Sequence, residues 1–136
     1  MKTHVEFRSD SFPPYPSEED DINPGIWGKR LAEFIYTGLK SRGFNVIDPA
    51  SEDWGWMVEI RNDAFPIWVG CGNYEEYENG FLCFIEPSRP FVRKLLIWKV
   101  PTEEAILKVQ IALDSILSDE PSIFDIRWSS RAEFGT

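Results

Sequence analysis

The chain has 136 residues, of which 43% are hydrophobic and 15% aromatic, and it contains six tryptophans. This length is ordinary for one domain and is sufficient to bury a hydrophobic core without a disulfide or a structural metal. The formal charge is −9 at pH 7, which disfavours nonspecific binding to nucleic acid or to an anionic membrane and favours a basic macromolecular partner.

The start of the chain and its cysteine content bear on the compartment. Residues 1–10 carry several charges and lack the apolar segment of a secretory signal. No apolar run is long enough to span a bilayer. Two cysteines are too few for a disulfide scaffold. We therefore expect a cytoplasmic protein.

The first elements in chain order are a strand and a loop. Residues 1–8 include an alternating segment with β-branched and aromatic side chains, which predicts a strand. Residues 9–23 contain three prolines followed by a run of acidic residues, and this composition indicates a loop without regular structure. The loop is expected to cross the surface between the strand and the helix that follows.

A helix is predicted over residues 24–42. Asn23 would cap it and Pro24 would occupy its first turn, where a missing N–H costs nothing. Gly43 suits the left-handed position that commonly ends a helix. The predicted buried stripe consists of Trp27, Leu31, Phe34, Ile35 and Leu39.

Residues 44–86 are predicted to form an antiparallel strand meander. Within the second strand, Trp56, Val58 and Ile60 are expected to point inward and the alternating residues Met57, Glu59 and Arg61 outward. Short polar turns join the later strands. The predicted strands are 44–47, 56–61, 66–73 and 81–86.

The last third of the chain contains one ambiguous segment. Residues 87–101 fit a strand and an irregular helical turn about equally. A second helix is expected over 102–119, with Thr102 as its N-cap. Residues 124–128 form a last predicted strand, and residues 129–136 a frayed tail. The expected buried stripe of the second helix is Ile106, Val109, Leu113, Ile116 and Leu117.

These elements together predict an α+β fold. Each helix has a single apolar stripe, so each should cover a sheet on one side only. The simplest arrangement is a two-layer sandwich in which an antiparallel or mixed sheet of five to six strands carries both helices on one face. No repeat or second domain is visible, and residues 1–136 form a single domain.

Two residue types that commonly carry chemistry are scarce in this chain. If strands 66–73 and 81–86 pair about Tyr77, Cys71 and Cys83 face each other, close enough for a disulfide or a shared metal. No third ligand follows nearby, and two reduced core residues are the simpler interpretation. His4 is the single histidine and belongs to no nucleophile motif. No catalytic residue, metal or cofactor is predicted.

The segment 70–80 is the most unusual stretch of the sequence. The glycines beside Cys71 allow another group to approach the strand closely, or mark a bulge. Tyrosines alternate with carboxylates at the turn, which suits either a protein contact or recognition of a cationic ligand; an ordinary soluble hairpin tip is the alternative. The candidate binding residues here are Tyr74, Glu75, Glu76, Tyr77 and Glu78, and Asp53 and Trp54 join them from the preceding turn.

Charge is distributed unevenly along the chain. Acidic residues dominate 9–25 and 51–86, whereas 88–100 contains only basic charges, among them Arg89 and Arg93. One interpretation is intramolecular, with the basic segment lying over the acidic edge of the sheet. The other is an acidic surface that docks a basic partner.

Three short stretches carry a resemblance to known proteins. They are Glu-Asp-Trp-Gly-Trp at 52–56, Gly-Cys-Gly-Asn-Tyr at 70–74 and Gly-Phe-Leu-Cys-Phe-Ile-Glu-Pro at 80–87. In these the chain resembles a family of small bacterial proteins of unknown function. In size, acidity and tryptophan content it is also similar to bacterial toxin-immunity proteins. Neither resemblance implies the role of any residue.

Three functional hypotheses follow from the sequence. The first is a non-enzymatic protein-binding module, immunity- or adaptor-like, that presents an acidic, aromatic-rich surface to a basic protein. The second is a small-molecule-binding protein or small enzyme, with a cleft lined by Trp54, Trp56 and Trp68 and with Arg89 or Arg93 as an anion clamp. The third is a homodimer formed through the uncovered face of the sheet.

Overall fold

The structure, a computed structural model, describes residues 1–21, 23–74 and 77–134. Eight strands and three helices follow one another along this part of the chain. They are β1 (His4–Ser9), α1 (Glu18–Asp21), α2 (Lys29–Ser41), β2 (Ala50–Glu52), β3 (Gly55–Ile60), β4 (Ile67–Asn73), β5 (Gly80–Glu86), β6 (Phe91–Lys94), β7 (Trp98–Pro101), α3 (Glu103–Ser118) and β8 (Ile123–Ser129).

Six of the strands form one sheet in the order β2-β3-β4-β5-β1-β8, and every neighbouring pair is antiparallel. The two longer helices, α2 and α3, pack on one face of this sheet and against each other. The predicted α+β two-layer architecture is confirmed. None of the described helices combines the length and the apolarity needed to cross a bilayer.

The core lies between the helices and the sheet. Trp56, Val58 and Ile60 of β3 point into it, as their alternation predicts. All five residues of the stripe predicted for α3 are buried, and α2 buries Leu31, Ile35 and Leu39 of its predicted stripe. The apolar stripes predicted from the helical spacing are therefore the faces that α2 and α3 turn toward the sheet.

The predicted start of the first long helix is wrong. The helix begins at Lys29 with Gly28 as its N-cap, and the Asn23 side chain instead donates to the Asp53 carbonyl oxygen at 3.1 Å. The loop predicted over 9–23 also contains the short helix α1, whose first residue, Glu18, is only 2% exposed. The end of α2 follows the prediction, because Gly43 has a φ of +88°.

The strand predicted over 44–47 reduces to a single bridge between Val46 and Ile60. The neighbour of β3 at the edge of the sheet is instead β2, a strand whose three residues are all exposed. An edge strand without a buried side carries no alternation of apolar and polar residues. For this reason β2 left no signal in the sequence.

The ambiguous segment 87–101 forms an antiparallel hairpin, β6-β7, separate from the main sheet. Thr102 does precede α3, but its hydroxyl donates to the carbonyl oxygen of Arg89 and caps no helical N–H. The hydroxyl therefore ties the base of the hairpin together. The expected capping hydrogen bond is absent.

The prediction of a frayed tail is also wrong for the residues that the structure describes there. Residues 131–134 form a turn, and the ring of Phe134 lies 5.0 Å from that of His4. The Lys2 ammonium contacts the Glu133 carboxylate at 2.5 Å. The chain after β8 thus folds back onto the face of the sheet that the helices leave uncovered.

Candidate functional site

Aromatic side chains line the uncovered face of the sheet. The indole of Trp54 stacks on that of Trp68 at 5.7 Å and contacts the ring of Phe84 at 5.1 Å. Phe84 continues the series to His4 at 5.7 Å, and Phe134 links His4 to Tyr74 at the far end. We call these six residues the aromatic face. Ring pairs at such distances stabilise beyond the area that they bury.

Two glycines of β4 make the aromatic face possible. A Cβ at Gly70 would stand 2.4 Å from the ring of Phe84, so that ring lies directly on the Gly70 backbone. A Cβ at Gly72 would stand 3.1 Å from the carbonyl oxygen of Trp54. The expectation that the glycines beside Cys71 permit a close approach is therefore confirmed, and the groups that approach belong to the chain itself.

Carboxylates border the Trp54 and Trp68 end of the aromatic face. In the register of the sheet, Trp68 lies opposite Glu59 on β3 and opposite Glu86 on β5. Asp53 is exposed in the turn that carries Trp54. Within the described part of the chain, none of these three carboxylates forms an ion pair. This end combines exposed indole with carboxylates that are not held in ion pairs.

His4 is enclosed within the aromatic face. Its side chain lies between Phe84 and Phe134, and its Nδ1 is 3.0 Å from the Thr3 hydroxyl. Burial lowers the pKa of His4, Arg131 lowers it further, and Glu86 opposes both. The neutral imidazole therefore acts as one ring of the stack.

His4 should accordingly titrate below its ordinary pKa of 6.5. Because the folded protein then binds the proton less tightly than the unfolded chain, the free energy of unfolding should fall as the pH drops from 6.5 toward the pKa of the folded state. NMR titration of the single imidazole measures that pKa, and urea unfolding across the same pH range measures the stability. His4→Phe should remove this part of the pH dependence. A folded-state pKa at or above 6.5 would contradict the prediction.

The structure places the tyrosine–carboxylate turn at the far side of this surface. Tyr77 is exposed, yet the guanidinium of Arg8 lies 4.0 Å from the centre of its ring, so the cation that it binds comes from the chain itself. Glu78 is exposed and lines a cavity of about 290 Å³ beside Pro13. The candidates Glu75 and Glu76 lie outside the described residues.

The proposed tryptophan cleft is only partly present. Trp54 and Trp68 do meet, but Trp56 lies on the helix side of the sheet, where its Nε1 donates to Glu18 at 3.1 Å. Alternation along β3 separates Trp56 from Trp68, because Trp68 pairs with Glu59 and takes the face opposite to Trp56. Trp54 escapes the alternation because it lies before β3, in a turn followed by Gly55 with a φ of +152°. A cleft walled by all three tryptophans is therefore excluded.

A groove does lie between the sheet and the hairpin. It has a volume of about 320 Å³, and Trp68 and Glu86 line it together with Val92, Arg93 and Lys94. Arg93 thus reaches the surface that carries Trp68, whereas Arg89 does not line the groove. Within the described chain, the hairpin cations form no ion pair with a carboxylate. Arg93 and Lys94 nevertheless share this groove with Glu86, and Lys94 lines a second cavity with Glu59, so the basic segment lies beside the acidic part of the sheet as the intramolecular interpretation expected.

Cys71 and Cys83 lie opposite each other in the sheet, as predicted from the pairing about Tyr77. Both thiols are free and buried, with the two Sγ atoms 3.8 Å apart. Burial raises the pKa of the Cys83 thiol well above its ordinary value, and the neighbouring Cys71 adds to this effect. Their side chains point to the helix side and belong to the core.

Glu59, Phe84 and Glu86 also belong to this surface, although none of them was among the residues predicted for a site. The signal was nevertheless present: each alternates with residues that face the core, so each had to lie on the opposite face. The predicted meander sets strand 66–73 between the other two, and the pairing about Tyr77 also aligns Trp68 with Glu86. What the sequence left open was the register that sets Trp68 opposite Glu59.

Comparisons with known proteins return no match: no family model, no curated protein and no solved structure is significantly similar to this chain. The resemblances to an uncharacterised bacterial family and to immunity proteins therefore gain no support from these comparisons. The candidate site rests on its own geometry.

Proposed function

We propose that this protein is a non-enzymatic protein-binding module that receives a basic segment of its partner on the aromatic face. The observation that supports this proposal is the placement of Trp68 between Glu59 and Glu86, with the partly exposed Trp54 stacked on it. A toxin-neutralising immunity protein or an adaptor in the cytoplasm fits this mode of binding.

The chemistry of this surface suits lysine and arginine side chains. A cation over a tryptophan ring gains about 0.5–2 kcal/mol, depending on how far it is desolvated, and the flanking carboxylates add attraction that also steers the encounter. The chain uses the same chemistry internally, because Arg8 lies over Tyr77 and Arg30 lies 3.9 Å from the ring centre of Tyr15. Trp54, at 38% exposure, remains available to a partner.

The test is a pull-down from native lysate with the wild type and two charge-matched variants, washed at low and then at high salt. Glu59→Gln combined with Glu86→Gln should reduce capture of a basic protein roughly tenfold or more, because two interfacial charges are lost. Glu103→Gln combined with Glu104→Gln removes equal charge from α3 and should leave capture unchanged. Equal capture by both double variants would refute the proposed surface.

A fluorescence titration then separates the aromatic contribution from the charge contribution. The captured partner should change the tryptophan emission of the wild type, and Trp54→Ala should weaken binding while leaving the protein folded. If Trp54→Ala binds as tightly as the wild type, the partner contacts the carboxylates alone and the aromatic face is not the recognition surface.

The groove beside Trp68 supports a second candidate, a small-molecule-binding protein. Its volume of about 320 Å³ falls at the lower end of the range of ligand pockets. Arg93 and Lys94 on its wall favour an anionic ligand with an apolar part. Quenching of tryptophan fluorescence by such a metabolite, lost in Arg93→Gln, would support this function, and a flat response across a metabolite panel would exclude it.

A further inference from the structure

The tip of the β6-β7 hairpin exposes four consecutive large apolar residues. Leu95, Leu96, Ile97 and Trp98 are 83%, 90%, 72% and 65% exposed. Single exposed apolar residues are common on protein surfaces, but contiguous patches mark interaction sites. No other described segment exposes four such neighbours in sequence.

The backbone of the tip is strained as well as apolar. Leu95 and Leu96 have φ angles of +52° and +63°, and the Ile97 N–H closes the turn on the Lys94 carbonyl oxygen at 3.1 Å. Asn and Gly adopt positive φ at such turn positions far more readily than leucine does. Leucine is energetically unfavourable at these φ angles, and the high exposure of both side chains means that little packing offsets the cost. This combination indicates a role outside the folding of the domain.

Cations follow the apolar tip along both strands. The register pairs Lys94 with Trp98 and, one step further from the tip, Arg93 with Lys99. Residues 87–102 contain no acidic side chain. From the tip toward the base of the hairpin, the order is therefore aliphatic residues, then tryptophan paired with lysine, then arginine paired with lysine. Successive residue pairs along the strands are about 3.3 Å apart.

We propose that this hairpin tip inserts into the surface of an anionic lipid bilayer. The order of residues matches the order of environments there, with aliphatic side chains below the headgroups, tryptophan at the interface, and lysine and arginine beside the phosphates. Leu95, Leu96 and Ile97 are each at least 72% exposed, which suits a fluid apolar medium better than one rigid face of a protein partner.

The net charge of −9 does not decide against this contact. Salt screens charges beyond about 8–10 Å under physiological conditions. The potential that a headgroup meets is therefore set by the residues near the tip. There Arg93, Lys94 and Lys99 form no ion pair in the described chain, and Glu86 lines the groove beside Arg93 and Lys94. The expectation drawn from total charge is thus revised for this one end of the molecule.

The test is flotation of the full-length protein with phosphatidylcholine vesicles, with and without phosphatidylserine. The wild type should float with the phosphatidylserine vesicles. Leu95→Asn combined with Leu96→Gly should reduce vesicle binding roughly tenfold or more, because the leucine side chains supply much of the inserted area. Replacing Arg93, Lys94 and Lys99 by Gln should weaken binding to the anionic vesicles by about fivefold per cation.

The tip variant should remain folded, because Asn-Gly is a preferred sequence for a turn of this geometry. The matched control replaces Leu107 and Ile111 by Gln, two exposed apolar residues of α3, and should float like the wild type. Absence of wild-type flotation, or equal flotation of the tip variant, would overturn the proposal.

Self-association of the wild type that the tip variant abolishes, without vesicle binding, would instead show that the tip binds a second copy of this chain. Capture of a basic protein by the aromatic face should be unaffected by the tip variant, so the two proposals can fail separately.

Discussion

Replacing Glu18 by alanine is expected to lower the free energy of unfolding by about 3–5 kcal/mol, because the change leaves several buried donors without an acceptor. The Glu18 carboxylate is 2% exposed and accepts four hydrogen bonds. The donors are the backbone N–H groups of Tyr15 (2.9 Å), Gly28 (2.8 Å) and Lys29 (3.0 Å), and the Nε1 of Trp56 (3.1 Å).

This arrangement makes Glu18 the acceptor for the amino end of α2. Gly28 is the N-cap and has no side chain of its own, so the N–H groups of Gly28 and Lys29 need an external acceptor. A carboxylate at that position is also stabilised by the helix dipole. Through Trp56, the same group joins the loop and α2 to the central sheet. The buried Glu18 side chain thus holds the loop at Tyr15, the start of α2 and strand β3 together.

Urea unfolding followed by tryptophan fluorescence measures the effect. Asp20→Ala, in the same short helix but exposed, is the control and should change stability by less than about 0.5 kcal/mol. Glu18→Gln should fall between the two, since the amide retains one acceptor oxygen but turns an N–H₂ toward other donors. A loss of about 1 kcal/mol or less for Glu18→Ala would mean that water satisfies these donors in its place.

The difference between predicted and observed α2 shows where local sequence patterns stop being informative. Asn23-Pro24 has the residues of a helix start, but the first turn forms around a carboxylate ten residues before Gly28 in the chain. Only the folded loop brings Glu18 there. The apolar periodicities of α2, α3 and β3, in contrast, depend on residues within each element, and they located those elements correctly.

The same distinction between local and long-range information applies to the candidate site. Trp54 and Tyr74 were recognised from composition near the glycine-rich segment, and both lie in the aromatic face. The predicted meander makes strand 66–73 the neighbour of both other strands, but the position of Glu59 beside Trp68 depends on a register that no turn residue in the sequence specifies. The sequence of residues 87–101 did not distinguish a hairpin from a helical turn, because leucines occupy the two turn positions where Asn and Gly are the usual signal of a hairpin.

The second large effect is expected at Gly70, on which the ring of Phe84 lies. Gly70→Ala should lower the free energy of unfolding by about 1–3 kcal/mol, because the added Cβ would stand 2.4 Å from that ring and the ring must move. Trp54, Trp68 and His4 surround Phe84 and restrict its movement. The backbone φ of Gly70 lies outside the left-handed region, so alanine brings no conformational strain of its own.

The effect of Gly70→Ala on the free energy of unfolding should change sign once the ring of Phe84 is removed. In a Phe84→Ala background, Gly70→Ala meets no ring and should stabilise the strand by about 0.5–1 kcal/mol, since glycine within a strand is unfavourable relative to alanine. Urea unfolding of the wild type, both single variants and the double variant completes the cycle and isolates the coupling between the two positions. An equal cost of Gly70→Ala in both backgrounds would show that the glycine serves the strand itself. A reversed sign would show that Gly70 is needed because Phe84, and with it the centre of the aromatic face, lies directly on the sheet.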